Sequence, residues 1–367
     1  METTHFDDIR PYYDSEIPAA IERIAKWELI PQILRFIYPK EPVADSMTRL
    51  QAVKTVRELQ STFMFDAIQR IVTTTSDGFE CSGFENIKRG QPHLFISNHR
   101  DITLDAFLLQ KVFIERQHDT SYIVFGNNLL DSTWMRDLYL SNKLVQMDRG
   151  GNPMAFYRSL QHLSQYIHHL IVEQNQSVWI AQKNGRSKNG IDSTAPAIIK
   201  MLTLGADTPA SQTLADLHIV PLSISYEWDP CDLMKANELF QKMHGEYQKA
   251  EGEDTNSVAT GIVGSKGHIH LSIGKPLTAS ELVPKEGEDL AEHVANLLDR
   301  RIQRLYHLMP TNYLAYDMLN NTSQHRQHYT VDVKNKFLQR MSQLPEGDPQ
   351  RIFLEMYANP VISSRKK

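Results

Sequence analysis

Cysteine is nearly absent: Cys81 and Cys231 are the two in 367 residues. Two thiols cannot make a disulfide framework, and no Cys-x-x-Cys pair exists to seed a zinc site. A reducing compartment is therefore expected. Long apolar runs are also missing. No stretch of about 18 uninterrupted apolar residues occurs, so no transmembrane helix is expected. Residues 1–16 carry neither the basic nor the apolar region of a secretory signal. Excess positive charge is lacking: 39 Lys+Arg against 44 Asp+Glu leaves −5. A nucleic-acid partner is not expected, and a phosphorylated ligand would need a local basic cluster. There is no Gly-x-Ser-x-Gly elbow, which removes the usual serine-hydrolase nucleophile.

What is present changes texture along the chain. Residues 17–73 carry helical spacing, with Ile17, Ala20, Ile21 and Ile24 on one stripe. Pro31 restarts the helix, and a second one is predicted from Ser46 to Val72. This segment reads as a helical subdomain; Trp27, Phe36 and Tyr38 would suit an interfacial helix as well. From about Phe79 short apolar runs take over. Five strands are predicted, at 93–97, 121–125, 177–181, 218–224 and 268–273, with helices such as Met154 to Gln174 between them. Strands alternating with helices predict an α/β fold, a mostly parallel central sheet flanked by helices, with ligands at the carboxyl ends of the strands. After Pro276 the pattern is helical again.

Four blocks carry chemistry. The first is Ser97-Asn98-His99-Arg100-Asp101-Ile102-Thr103-Leu104-Asp105, between a strand and an apolar helix. A histidine there, with carboxylates just beyond, suits a general base whose imidazolium is stabilised by a carboxylate. His99-Arg100-Asp101 imitates a kinase catalytic loop, but Ala106 stands where that loop needs asparagine, and no Asp-Phe-Gly follows. The second block, Val145 to Pro153, places Asp148-Arg149 before a Gly-Gly turn that can offer a guanidinium and free N–H groups to an anion. In the third, a buried strand delivers Lys183, Gly185, Arg186, Ser187 and Lys188 into one loop, a basic density that suits a phosphate. The fourth, Ile219-Val220-Pro221-Leu222-Ser223-Ile224-Ser225-Tyr226-Glu227, is a strand running into a polar end and says little alone. His268 and His270 share a strand face without an evident third metal ligand. His162, His168 and His169 read as solvated, and the stretch from Gly261 to Gly267 as a turn.

Taken in order, these blocks resemble the glycerolipid acyltransferase superfamily, whose members include glycerol-3-phosphate and 1-acylglycerol-3-phosphate acyltransferases. The likeness covers roughly residues 78–280, which sets off a helical segment over 1–77, an α/β core over 78–280 and a helical segment over 281–367. It implies that His99 deprotonates an acceptor hydroxyl, which attacks the thioester of acyl-CoA or acyl-carrier protein. Asp105 would support the histidine, and Arg149 and Arg186 would hold the acceptor's phosphate, with Lys183, Gly185 and Ser187 in the same loop. No covalent acyl-enzyme, metal or other cofactor is implied. Such a protein would serve phospholipid biosynthesis, reaching its lipid from the water side as a peripheral protein on the cytoplasmic face of a membrane.

Two departures stand out. Five residues rather than four separate His99 from the aspartate, so His99 must sit in a loop with Asp105 reaching it from the helix; Asp101 is the alternative partner. The third block reads Lys183-Asn184-Gly185-Arg186, without the acid the family carries there. That leaves open another lysolipid acceptor, or a catalytically silent phospholipid-binding homologue.

Overall fold

Aliphatic and β-branched runs in the core become strands. The computed structural model describes residues 4–126, 133–147, 152–245 and 247–365. Its strands are β1 (Ser76–Ser82), β2 (Leu94–Ser97), β3 (Tyr122–Gly126), β4 (Leu144–Met147), β5 (Val178–Ala181), β6 (Val220–Tyr226) and β7 (Gly267–Ile273). They form one sheet in the order β1-β7-β6-β2-β5-β3-β4. The five strands from β6 to β4 run parallel, β7 is antiparallel to β6, and β1 is parallel to β7. The sheet is thus mostly parallel. The five predicted strands are all there, and both edge strands are additional. Polar β1, Ser-Asp-Gly-Phe-Glu-Cys-Ser, has a bulge between Ser76 and Gly78 and never alternates cleanly enough to be read as a strand.

Helices precede, interleave with and follow the strands. The amino-terminal set is α1 (Ile17–Ala25), α2 (Ile30–Ile37), α3 (Val43–Gln51), α4 (Val56–Leu59) and α5 (Phe65–Thr75). The long helix predicted from Ser46 to Val72 is broken, because Thr55 caps α4 by accepting from the Glu58 N–H at 3.1 Å; a π-turn over Gln60–Met64 then leads into α5. Within the core lie α6 (Leu104–Glu115), α7 (Thr133–Leu140), α8 (Pro153–His168), α9 (Pro196–Leu202), α10 (Ala210–Asp216), α11 (Asp232–Met243) and α12 (Glu253–Val263). The last set is α13 (Leu290–Leu305), α14 (Pro310–Leu319), α15 (Val331–Met341) and α16 (Asp348–Ser364).

Central β2 is buried on both faces. Leu94 and Ile96 join an apolar layer with residues of α8, α9 and α13, while Phe95 joins the opposite layer with Phe107, Leu108 and Val112 of α6. Helix α6 is buried from Leu104 to Phe113, as expected of a helix apolar on every side. Its first turn is thereby clamped against the carboxyl end of β2, where the first block lies. His168, expected to be solvated, is buried and its Nε2 lies 3.2 Å from the Leu202 carbonyl. Gly261 belongs to α12 rather than to a turn.

Candidate active site

Parallel strands bring three of the four blocks to one edge of the sheet. His99 lies two residues past β2, in the loop before α6, and Asp105 is the second residue of that helix. Nδ1 of His99 stands 2.9 Å from Oδ2 of Asp105, with the histidine side chain 15% exposed and the aspartate 1%. Oδ2 also accepts the N–H groups of Arg100, at 2.5 Å, and Asp101, at 2.9 Å. Oδ1 accepts the hydroxyl of Tyr226, the last residue of β6, at 2.8 Å. Four donors converge on one carboxylate. Asp105 can thus hold the Nδ1–H tautomer of His99 and leave Nε2 facing away from it.

Asp101 has a different place. Its Oδ1 accepts the N–H groups of Thr103, at 2.9 Å, and Leu104, at 2.8 Å, so it satisfies donors at the start of α6. Its Oδ2 is buried and has no hydrogen-bond partner among the described residues. Burial, together with the Asp105 charge, pushes the Asp101 carboxyl above its usual range.

His99 opens on a cavity of about 340 Å³. Its apolar lining is Ala106, Phe107, Ile123, Val124, Phe125, Tyr139, Leu144 and Trp179. Its charged lining is Lys183, Arg186, Lys188, Lys242 and Lys249 with Glu238, Glu253 and Asp254, and Gly185 lines it as well. Much of that charge is internally paired. Glu238 binds Lys188 and also Lys242, the latter at 2.6 Å, and Lys249 binds Asp254 at 2.6 Å. Lys183 and Arg186 have no such ion pair in the described structure. Burial lowers the Lys183 ammonium from its ordinary value. Arg186 donates through Nη2 to Ser257 of α12 at 3.1 Å, and its buried Nη1 has no partner among the described residues. Gly185 lines the cavity with φ +75°, open to a ligand on its empty side.

Not every predicted site residue meets there. Ser187 is fully buried behind the cavity, and its N–H donates to the His99 carbonyl at 2.6 Å. It supports the histidine loop instead of facing a ligand. Arg149 lies outside the described residues. Reading by motif gave no role to Tyr226, at the polar end of the fourth block, and missed Ser257, Asp192 and Asp229, which have no local signature. It also found no third ligand for His268; the fold brings Asp77 and Glu227 beside it, with potential donor atoms within 4.8 Å of one another.

Residues 78–225 match the family model described as Acyltransferase. Mitochondrial glycerol-3-phosphate acyltransferase 1 of Rattus norvegicus is 26% identical over 208 residues, spanning 54% of this chain and 23% of that protein. The Mus musculus protein gives the same figures. The chain thus spans under a quarter of the length of these relatives. A solved structure, the 1-acyl-sn-glycerophosphate acyltransferase of Thermotoga maritima, is similar with a TM-score of 0.38 and 14% identity, over 77% of this chain and 92% of that one. The match to the Acyltransferase family model falls on the core that carries the His99–Asp105 pair, and over that core the chain is similar to glycerol-3-phosphate acyltransferases.

Proposed function

We propose that this protein is an O-acyltransferase, moving a fatty acyl group from a thioester donor to a hydroxyl of glycerol 3-phosphate or 1-acylglycerol 3-phosphate. One observation carries the reading: the hydrogen-bonded pair of His99 and Asp105 opens on a cavity lined by apolar side chains and by Lys183 and Arg186. The apolar lining suits an acyl chain, and Lys183 and Arg186 suit a phosphate. Nε2 of His99 takes the proton of the acceptor hydroxyl as its oxygen attacks the thioester carbonyl. The C–O bond forms, the C–S bond breaks, and the proton passes from His99 to the departing thiolate. Asp105 stabilises the imidazolium in between. Nothing in this sequence requires an acyl-enzyme, a metal or another cofactor. Arg149 is proposed as a further phosphate contact.

No helix among the described residues is long and apolar enough to cross a membrane. A lipid acceptor or product would then be exchanged from the membrane surface, and a peripheral position at the cytoplasmic face is part of the proposal. Lys183 stands where the family carries an acid, which keeps a different lysolipid acceptor as the second reading. Purified protein incubated with acyl-CoA or acyl-carrier protein, against glycerol 3-phosphate, lysophosphatidate and other lysolipids, separates the two. Transfer to either of the first two acceptors supports the proposal. Transfer to another lysolipid alone favours the second reading, and no transfer with any pair rejects both.

A further inference from the structure

Beside the catalytic pair lies a buried ionic quartet that the proposed chemistry does not use: Arg100, Asp192, Asp229 and Lys235. Arg100 is 2% exposed and Lys235 1%. The Arg100 guanidinium donates to Asp192 at 2.6 Å and to Asp229 at 3.1 Å. Lys235, on α11, is ion-paired with the other oxygen of Asp229 and donates to the Arg100 carbonyl at 2.7 Å. Two cations face two carboxylates, so the cluster is neutral. Burying four charges is costly, and a hydrophobic replacement of similar shape is often as stable or more so. Stability alone is thus a weak reason for such a cluster here.

One of its contacts, Lys235 to the Arg100 carbonyl, falls on the backbone beside His99, whose neighbouring groups Ser187 and Asp105 hold. The His99 carbonyl accepts from Ser187 N, the Arg100 N–H donates to Asp105, the Arg100 carbonyl accepts from Lys235, and the Asp101 N–H donates to Asp105. Four backbone groups in succession are held. Asn98, just before, bonds to Asp192 at 3.2 Å and makes a two-way bond with the backbone of Ile224. The network runs on into the carboxyl-terminal helices. The Asp229 N–H donates to the Tyr357 hydroxyl at 2.9 Å, and that hydroxyl donates to Asp232, which Arg340 also holds.

We propose that Lys235 is a positioning residue: with Arg100, Asp192 and Asp229 it fixes the loop that aims His99 at Asp105, and it ties that aim to α15 and α16. The one-residue-longer spacing between His99 and Asp105 gives the loop extra freedom, and Lys235 removes it by holding the Arg100 carbonyl. The kinetic part of this inference rests on His99 acting as the base; the geometric part does not.

The test uses the full chain with Lys235→Met, which keeps an aliphatic stem and loses the donor, and Asp229→Asn, which keeps shape and loses charge. Proton NMR follows the downfield Nδ1–H of His99, assigned by its loss in His99→Ala, and thermal unfolding checks the fold. In folded variants the signal is expected to broaden or vanish. With an active acyl donor and acceptor, kcat should fall roughly 10- to 100-fold while both KM values stay within about threefold, since misplacement of a catalytic group costs rate more than binding. If Lys235→Met does not fold, Asp229→Asn gives the same two readings. An unchanged signal in the folded variants, or KM rising as much as kcat falls, overturns the proposal. If the wild type transfers no acyl group, the proposed function fails while the NMR result still decides the positioning role.

Discussion

An amide at position 105 would keep the shape of the carboxylate and lose its charge. Its oxygen can take the place of Oδ2, which faces the N–H donors of His99, Arg100 and Asp101, and its NH2 can face Tyr226, whose hydroxyl can turn to accept. Asp105→Asn should therefore fold, with a melting temperature near the wild type. It should lose roughly 10,000-fold in kcat because nothing then stabilises the imidazolium. Asp101→Asn should stay within a few-fold of wild-type activity. The hydrogen bonds its Oδ1 accepts from Thr103 and Leu104 need only an oxygen, and asparagine caps about as well as aspartate. Assaying both beside His99→Ala, expected to fall roughly 100- to 10,000-fold, decides the assignment; a dead Asp101→Asn with an active Asp105→Asn reverses it. Arg186 calls for a different readout. Its unpartnered Nη1 and its Ser257-held Nη2 suit a charged contact of about 1.5–3 kcal/mol to phosphate. Arg186→Ala should raise the acceptor KM about 10- to 100-fold and leave the acyl-donor KM nearly unchanged. An equal rise in both would remove the assigned role.

Among the elements, legibility in the sequence followed burial. Strands β2, β3, β5 and β6 stand out because strands inside a parallel sheet are buried on both faces and rich in apolar residues, and antiparallel β7 stands out by alternation of Ile269, Leu271 and Ile273 with polar residues. Edge strand β1 has its polar faces and bulge to hide it, and four-residue β4 reads as no more than an apolar stretch. The first block was readable because His99, Asp101 and Asp105 are sequence neighbours. Tyr226 and Lys235 were not, since 121 residues separate Tyr226 from Asp105 and 135 separate Lys235 from Arg100, and no periodicity marks such pairings. Helix α12 shows the same limit. Gly261 looks like a loop glycine, but it lies within that helix against the loop that carries His99, and a Cβ there would come within 2.1 Å of Asp101 Oδ2. Helix propensity would favour alanine by about 1 kcal/mol. Overpacking a buried contact costs about 1–3 kcal/mol, and Asp101 cannot swing away without releasing the Thr103 and Leu104 N–H groups. Gly261→Ala should thus be net destabilising and should lower activity, as denaturant unfolding and an acyl-transfer assay would register. A more stable variant would mean that the helix shifts freely over the loop.

At the scale of the whole molecule, β2 has a histidine beyond each end, and the two face opposite edges of the sheet. His99 follows the strand at the cavity, whereas His93 precedes it at the far edge, 2% exposed, with Nδ1 3.2 Å from the His218 carbonyl and Nε2 without a partner among the described residues. Burial pushes His93 from 6.5 down to about 4. In the unfolded chain it takes up a proton near pH 6.5, and in the folded one only near pH 4. Above pH 6.5 both states are neutral there, and the group has no pH-dependent effect. As pH falls from 6.5 to 4 the unfolded state gains the proton first and stability drops, by about 3 kcal/mol once both are charged. Burial lowers His168 in the same direction. Asp192 acts lower on the scale: burial raises its carboxyl, Arg100 outweighs that, and the stability it lends disappears as pH falls below the ordinary carboxylate range. His93→Gln should therefore flatten part of the loss of unfolding free energy between pH 6.5 and 4, leaving the slope from His168, His118, His270 and His325, which burial also lowers. Urea titrations across that range measure it. Because His93 is at the opposite edge from the cavity, turnover of the variant at neutral pH should match the wild type. An unchanged slope would mean that His93 takes up its proton without unfolding, which would place its Nε2 within reach of water.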